Sequence, residues 1–301
     1  MPAYISDKQN KMGIASLLIG GSLCGTLGLF TASILAAGAT SMTVAFLRLA
    51  TGTLFLIPFV LFTVGPKGFR ITGRELGAVF LIGAIGLGLN NYCYMTAMQE
   101  LGIASAAVLM YTAPGFLVLL STIFFKDRLT GLKVLAVLLN FGGSAVMVTG
   151  GNFSELTFSP FGLLIGLCAG LTFALNNLLT RALAKDMDSF VLAFYGFLFG
   201  ALTLCVLVQP WNGLGIALSP ANLLLIAGFG ILPTACGYGA YYNGLLLIRD
   251  KAVAPVISST ENIVACLLGF LVLGEFFNLW KLTGILMVLL SIVLIARSDN
   301  Q

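Results

Sequence analysis

No histidine occurs anywhere in the 301 residues, and charged residues are scarce at 9%. Soluble domains carry about 25% charge, so this chain has too few polar groups to cover a globule in water. The missing imidazoles remove the commonest metal ligand and the commonest general base. Six cysteines are present, but none forms a CxxC pair, and Cys24, Cys93, Cys168, Cys205, Cys236 and Cys266 all fall inside apolar stretches. That pattern argues against a disulfide framework or a zinc site and reads as small packing residues. No GxxxxGK[ST] sequence occurs, which argues against ATP drive within the chain. No metal, cofactor or catalytic residue is expected.

Hydrophobic residues make up 59% of the chain, and mean hydropathy is +1.05. Ten apolar segments each approach the ~20 residues that cross a ~30 Å hydrocarbon core as a helix: 13–35, 42–63, 75–97, 103–125, 131–150, 160–182, 189–208, 221–246, 252–273 and 281–297. The separators are short and carry turn or charge signals, such as Gly65-Pro66-Lys67, Lys126-Asp127-Arg128 and Lys185-Asp186. They leave no room for a soluble domain. The first segment is longer than the 7–15-residue apolar core typical of a cleaved signal and is read as a span.

The net charge of +4 is not a nucleic-acid footprint, because its distribution follows topology. Lysine and arginine are retained on the cytoplasmic side. With the N-terminus inside, Lys8, Lys11, Lys67, Arg70, Arg74, Lys126, Arg128, Lys133, Arg181, Lys185, Arg249, Lys251 and Arg297 all fall inside and only Lys281 outside; Arg48 lies within a span. The expectation is therefore an all-α polytopic membrane protein with both termini cytoplasmic, in the cytoplasmic (inner) membrane.

The chain also repeats itself. Leu17-Leu18-Ile19-Gly20 recurs as Leu163-Leu164-Ile165-Gly166, and a constant displacement of 148 positions then pairs Ala45-Phe46 with Ala193-Phe194, Gly52 with Gly200, Tyr94 with Tyr242, Thr112 with Thr260, Asp127 with Glu275 and Lys133 with Lys281. Each half holds five spans. Five is odd, so the second half must enter the bilayer inverted, the arrangement many secondary transporters use to exchange inward-open and outward-open states. The expected organisation is a cytoplasmic tail (1–11), a first five-helix repeat (12–150), a linker (151–159), a second repeat (160–297) and a cytoplasmic tail (298–301).

The pairs TAPGFLVLLSTIFFKDRLTGLKVLAVLLNFGG and STENIVACLLGFLVLGEFFNLWKLTGILMVLL resemble the EamA-type repeat of the drug/metabolite transporter superfamily across nearly the whole chain. Glu275 of the second LGE is the best single match. Asp127 replaces the usual glutamate of the first half, and Asn262 stands where the second half often has proline. The resemblance implies a ten-helix transporter of amino acids, other metabolites or drugs, often an exporter.

Ionisable groups near the membrane midplane are costly and mark sites. Glu261 lies at the centre of its span beside Asn262, and its repeat mate is Ala113 beside Pro114. It is the candidate coupling residue; the alternative is a glutamate that only fixes helix packing. Arg48 is the other intramembrane charge, either snorkelling outward or facing Glu261 or a substrate carboxylate. Asn90 and Tyr94 share one helical face, as do their mates Tyr238 and Tyr242; Tyr111 and the Thr172–Asn176–Thr180 stripe complete the candidate cavity, with interhelical hydrogen bonding as the alternative role. Gly83, Gly86 and Gly88 read as packing. The expectation is a secondary transporter moving small organic metabolites, amino acids or related compounds, outward by alternating access through a central cavity. An uncoupled facilitator and a polytopic membrane enzyme are the alternatives. Expected partners are a small-molecule metabolite, bilayer lipid and protons, with a monomer or homodimer both open.

Overall fold

A computed structural model describes residues 6–157, 159–211, 214–215, 219–274 and 276–298. Glu275, most of the C-terminal tail and the first five residues lie outside the described residues, as does the Arg297 side chain. All regular structure among the described residues is helical. Among the described residues eight helical stretches are long and apolar enough to cross a membrane: Asp7–Ala36, Ser41–Thr63, Gly73–Met110, Gly131–Thr149, Pro160–Leu183, Ser189–Val208, Leu223–Leu247 and Lys251–Leu273. Ala113–Phe125 and Leu279–Ile295 are apolar but shorter. The chain is a polytopic helical membrane protein.

The elements follow local chemistry. Helix α1 (Asp7–Cys24) begins inside the segment expected as a tail, because Ser6 and Gln9 form a reciprocal capping box that satisfies two orphan N–H groups. A turn at Gly25-Thr26 leads to α2 (Leu27–Ala36). Helix α3 (Ser41–Thr63) is capped by Thr40. Helix α4 (Gly73–Leu81) runs through a π-helical stretch (Ile82–Leu89) into α5 (Asn90–Met110). Within α5 the backbone turns at Gly102, whose φ of 79° only glycine adopts freely. Residues 103–110 and α6 (Ala113–Phe125) then make up the fourth expected span, parted by a turn at Tyr111-Thr112.

After α7 (Gly131–Thr149), the second half contains α8 (Pro160–Leu183), α9 (Ser189–Val208), α10 (Leu223–Phe229), a second π stretch (Gly230–Cys236) and α11 (Gly237–Leu247). A short turn over Lys251–Val253 opens α12 (Ala254–Ile257), a turn at Ser258-Ser259 separates it from α13 (Thr260–Leu273), and α14 (Leu279–Ser298) closes the chain.

Local features recur at the 148-residue displacement. Thr40 and Asp188 cap α3 and α9, and the π stretches begin at Ile82 and Gly230. Lys126 and Gly274 end α6 and α13 in the left-handed region. Thr130 accepts from the Lys133 N–H at 3.3 Å and Asn278 from the Lys281 N–H at 2.9 Å. Helix partners also swap between halves: α1 packs along α11 as α8 packs along α5, α13 lies on α1 as α6 lies on α8, and α3·α9 and α7·α14 pair like with like.

Small residues set these approaches, as expected where lipid offers no hydrophobic drive for association. Gly83 abuts the Gly196 carbonyl and Phe199, Gly86 abuts Asn176, and Gly88 abuts Thr203, which is the packing role their spacing indicated. Helices α7 and α14 pack together and are tied by Asn140 to Ser291 at 3.4 Å.

Candidate functional site

Two broken helices supply the centre. Pro114 sits in the first turn of α6, where its missing N–H leaves no gap, and the Leu109 carbonyl accepts from both the N–H and the hydroxyl of Thr112, at 3.1 and 2.6 Å. The counterpart break has no proline. There the Glu261 and Asn262 N–H groups make tight i→i−3 bonds to Ser258 and Ser259 at 3.0 Å each, and the Ser259 hydroxyl donates to Pro255 O at 2.9 Å. Irregular backbone at membrane depth survives only where such groups are re-satisfied or face a cavity. Glu261 thereby stands in the first turn of α13, at the positive end of that helix dipole.

The π stretch Gly230–Cys236 follows the same logic. Pro233 has no N–H for the Phe229 carbonyl, and the Thr234 hydroxyl donates to it at 2.7 Å. The Pro233 carbonyl in turn accepts from the Cys24 thiol at 3.5 Å.

Around Glu261 the structure gathers Arg48 of α3, Tyr94 of α5, Tyr111 at the first break, Tyr238 of α11 and Cys24 of α1, all within electrostatic reach of its carboxyl. Arg48 Nη2 donates to Tyr238 Oη at 2.7 Å, and its guanidinium lies 5.3 Å from that ring's centre. Arg48 Nε is buried without a hydrogen-bond partner. None of the ion pairs among the described residues joins Arg48 to Glu261. Arg48, Tyr94, Tyr111, Tyr238 and Glu261 are each only partly exposed. An acid and a base that share no ion pair thus stand among three tyrosines, an arrangement that can present opposite charges and amphipathic rings to one organic solute.

The other three sequence candidates lie in a packed layer beside it. Asn90 is buried and donates to Ala169 O at 2.7 Å and Thr172 Oγ1 at 3.2 Å, stitching α5 to α8. Tyr242 is fully buried and donates to Asn176 Oδ1 at 3.2 Å. Asn176 is likewise fully buried, with its Nδ2 unpartnered. The Tyr242 ring stands 6.1 Å from Tyr238, one ring behind the Arg48 contact.

Sequence reading passed over Cys24, because a cysteine in an apolar run carries no signal of what it faces. It also passed over Ser258 and Ser259, since serine without proline does not announce a break. Thr260 donates to Leu18 O at 3.2 Å and Asn262 to Ser144 Oγ at 2.8 Å, so the two residues flanking Glu261 anchor α13 to α1 and α7. Among the described residues no cluster of metal-ligating side chains occurs.

Comparison with known proteins gives three kinds of match. The sequence profile of the EamA-like transporter family fits residues 11–149 and again 160–297. An uncharacterized transporter of Archaeoglobus fulgidus is 28% identical over 95% of this chain and 97% of its own. The uncharacterized inner membrane transporter YicL of Salmonella typhimurium is 25% identical over 97% of this chain and 98% of its own. A protein of Streptantibioticus cattleyicolor named "Probable terminal-alkyne amino-acid exporter" is 27% identical over 70% of each chain. A solved crystal structure superposes with a TM-score of 0.77 at 19% identity, covering 98% of this chain and 99% of the other, which speaks to the fold alone.

Proposed function

Because the chain belongs to the EamA-like transporter family, we propose that it is a secondary transporter of amino acids or chemically related metabolites, exporting them across the cytoplasmic membrane by alternating access. The family and the curated relatives are transporters, so the membrane-enzyme alternative falls. The observation that carries the substrate class is the Arg48–Glu261 arrangement, two opposite charges within electrostatic reach that share no ion pair. A zwitterionic solute supplies a carboxylate for the guanidinium and an ammonium for the carboxyl, and leaves neither charge unpaired in a low-dielectric interior. The name of the Streptantibioticus relative points the same way.

Architecture supports the reading. With the turn at Gly102 counted as a loop, and α12 and α13 as one broken span, the described helices group into ten spans. These divide into a first repeat (12–150) and a second (160–297), joined by the 151–159 linker. The recurring caps, π stretches and swapped helix partners favour a pseudo-two-fold relation between the halves, and five spans per half require inversion. Both termini are then cytoplasmic. Glu261 is the coupling residue of this scheme: a charged carboxylate costs about 3 kcal/mol at the bilayer centre on insertion scales, so hydration of the cavity and proton exchange at this side chain become linked events. Tyr94, Tyr111 and Tyr238 form the wall, while Asn90, Asn176 and Tyr242 hold α5, α8 and α11 in register behind it.

Exchange of radiolabelled amino acids in proteoliposomes of the purified chain tests the proposal. Saturable counterflow that competes with unlabelled zwitterions, but not with their decarboxylated or deaminated analogues, is the expected result. Equal transport of such singly charged analogues removes the substrate class. No counterflow by any metabolite pool removes the carrier reading. Gradient-independent exchange with no response to pH leaves the uncoupled facilitator.

A further inference from the structure

The two broken spans at the centre differ in what keeps them broken. Their backbones are alike. Tyr111 and Thr112 have ψ of −2° and −15°, and Ser258 and Ser259 have ψ of −3° and 0°, all well short of the helical value of about −42°. In the first half a ring bars closure into one helix. Pro114 has no N–H to offer the Met110 carbonyl four residues back, and in a continuous helix its side chain collides with that carbonyl. In the second half no proline follows Pro255 within the span. Nothing covalent therefore stops Ser258 and Ser259 from winding into regular α turns.

Side-chain bonds take the place of the ring. The Ser258 and Ser259 hydroxyls both donate to the Pro255 carbonyl, at 3.2 and 2.9 Å; they satisfy a loose acceptor but tie the break to nothing outside its own span. Two bonds reach other helices. The Thr260 hydroxyl lies 3.2 Å from Leu18 O on α1 and 3.5 Å from Ser258 O in its own span. Asn262 Nδ2 donates to Ser144 Oγ on α7 at 2.8 Å, and Ser144 is fully buried. At the 148-residue displacement Asn262 maps onto Pro114 and Ser144 onto Ile292. The half that has the proline lacks the bond, and the half that has the bond lacks the proline. All four residues of α12 are buried, whereas α13 carries exposed side chains such as Leu271, so α13 is the part free to turn. Going from three to 3.6 residues per turn takes about 20° from each residue's advance, and annealing two residues would rotate α13 against α12 by about 40°. Glu261, in the first turn of α13, would turn with it.

We propose that Asn262 and Ser144 are positioning residues for Glu261: their hydrogen bond does for the second break what the ring of Pro114 does for the first, holding the span open so that the carboxyl points toward Arg48 and the tyrosines. The inference rests on the reading of Glu261 as a site residue. It makes the bearing of that carboxyl depend on α7, a helix that contributes none of the site residues. Thr260 is a second, weaker tie, since its hydroxyl divides one proton between α1 and its own span.

The test combines amino-acid exchange in proteoliposomes with spin-label distances on the full chain in lipid nanodiscs, native cysteines replaced. Labels at Leu271 of α13 are paired in turn with Leu119 of α6 and Leu61 of α3, all exposed positions. A 40° turn carries a side chain through an arc of about 4 Å at a helix radius of about 6 Å. Ser144→Ala and Asn262→Ala should each shift at least one of the two distances by an amount of that order, and should lower exchange about tenfold or more, the cost of a misplaced site group. Asn262→Pro supplies a ring in the first turn of α13, as Pro114 does in α6. It should keep the parent distances and exchange, and Ser144→Ala added to it should then change neither. Parent behaviour of both alanine variants overturns the proposal. So does impairment of the Asn262→Pro, Ser144→Ala double variant, because a bond that only glues α13 to α7 cannot be replaced by a side chain without a donor. Should Asn262→Pro fail to fold, Ser144→Thr keeps the hydroxyl: parent distances support the proposal, and alanine-like ones overturn it. A parent chain that moves no solute, with distances that shift and recover as described, leaves the positioning role standing and removes the carrier reading. Distances that shift while exchange holds keep the carrier and overturn the positioning role.

Discussion

Replacement of Gly20 by alanine should loosen both the helix bundle and the site, by amounts the geometry allows one to work out. A Cβ at position 20 would lie 2.7 Å from the Tyr241 backbone nitrogen, 2.9 Å from Gly237 O and 3.1 Å from Tyr241 Cα, all of them main chain that cannot swing aside. Ordinary contact begins near 3.4 Å, so α1 must withdraw from α11 by 3.4 − 2.7 = 0.7 Å. Overpacking of this kind costs about 1–3 kcal/mol, offset by about 0.5–1 kcal/mol from removing a helical glycine. The net loss is about 0–2.5 kcal/mol, centred near 1. Withdrawal at this level also carries Tyr238 away from Arg48, and sub-ångström misplacement of binding groups lowers turnover by roughly tenfold or more. Gly28→Ala is the control, since nothing lies within 4 Å of its Cβ position. Thermal unfolding in detergent and amino-acid exchange in proteoliposomes should both fall for Gly20→Ala and hold for Gly28→Ala. Equal behaviour of the two variants would show that close approach of α1 to α11 does not position the tyrosines, and would refute the reasoning.

Glu261→Gln keeps shape and hydrogen bonding but removes titration; uptake driven by a pH gradient should disappear while exchange at equal pH persists, and unchanged gradient-driven accumulation assigns Glu261 to packing. Arg48→Gln removes the guanidinium, whose charge-assisted bonds are each worth about 1.5–3 kcal/mol, so apparent affinity for a carboxylate-bearing substrate should fall about ten- to hundredfold in competition assays. Tyr242→Phe deletes one interhelical hydrogen bond in the packed layer, worth about 0.6 kcal/mol in membranes; a small drop in unfolding temperature with normal exchange is expected, and lost exchange would move Tyr242 into the cavity wall. A single cysteine at Ser154 should react with impermeant reagents only from outside the cell, and reaction from the cytoplasm alone overturns the topology.

Much of the fold can be read from the chain because membrane helices advertise themselves by apolar length. Residues 103–125 form one apolar run, and Pro114 marks its interruption, although the turn falls at Tyr111-Thr112. The matching interruption at Ser258-Ser259 has no such mark, since hydroxyl groups that re-satisfy a broken helix look like any serine in an apolar run. The site is legible in part for the same reason. Charge at membrane depth singles out Arg48 and Glu261, but polarity alone does not separate a residue left partly exposed near Glu261, such as Tyr94, from one bonded to the next helix, such as Asn90, four positions away on the same face. Which neighbour lies opposite is decided by helix packing, and that information is spread over glycines and caps far along the chain.

The paired π stretches have a consequence for chain length. A π turn holds one more residue than an α turn, and each residue of an α-helix advances the side chains by about 100°. Removing one residue within Ile82–Leu89 would let the stretch close into regular turns and leave Asn90 and Tyr94 on nearly their present bearing, whereas one removed from the regular turns beside it would swing them by about that angle; the same holds for Gly230–Cys236 with Tyr238 and Tyr242. The surplus residue works as slack. Single-residue deletions are therefore better tolerated at these two places than anywhere else in the two spans.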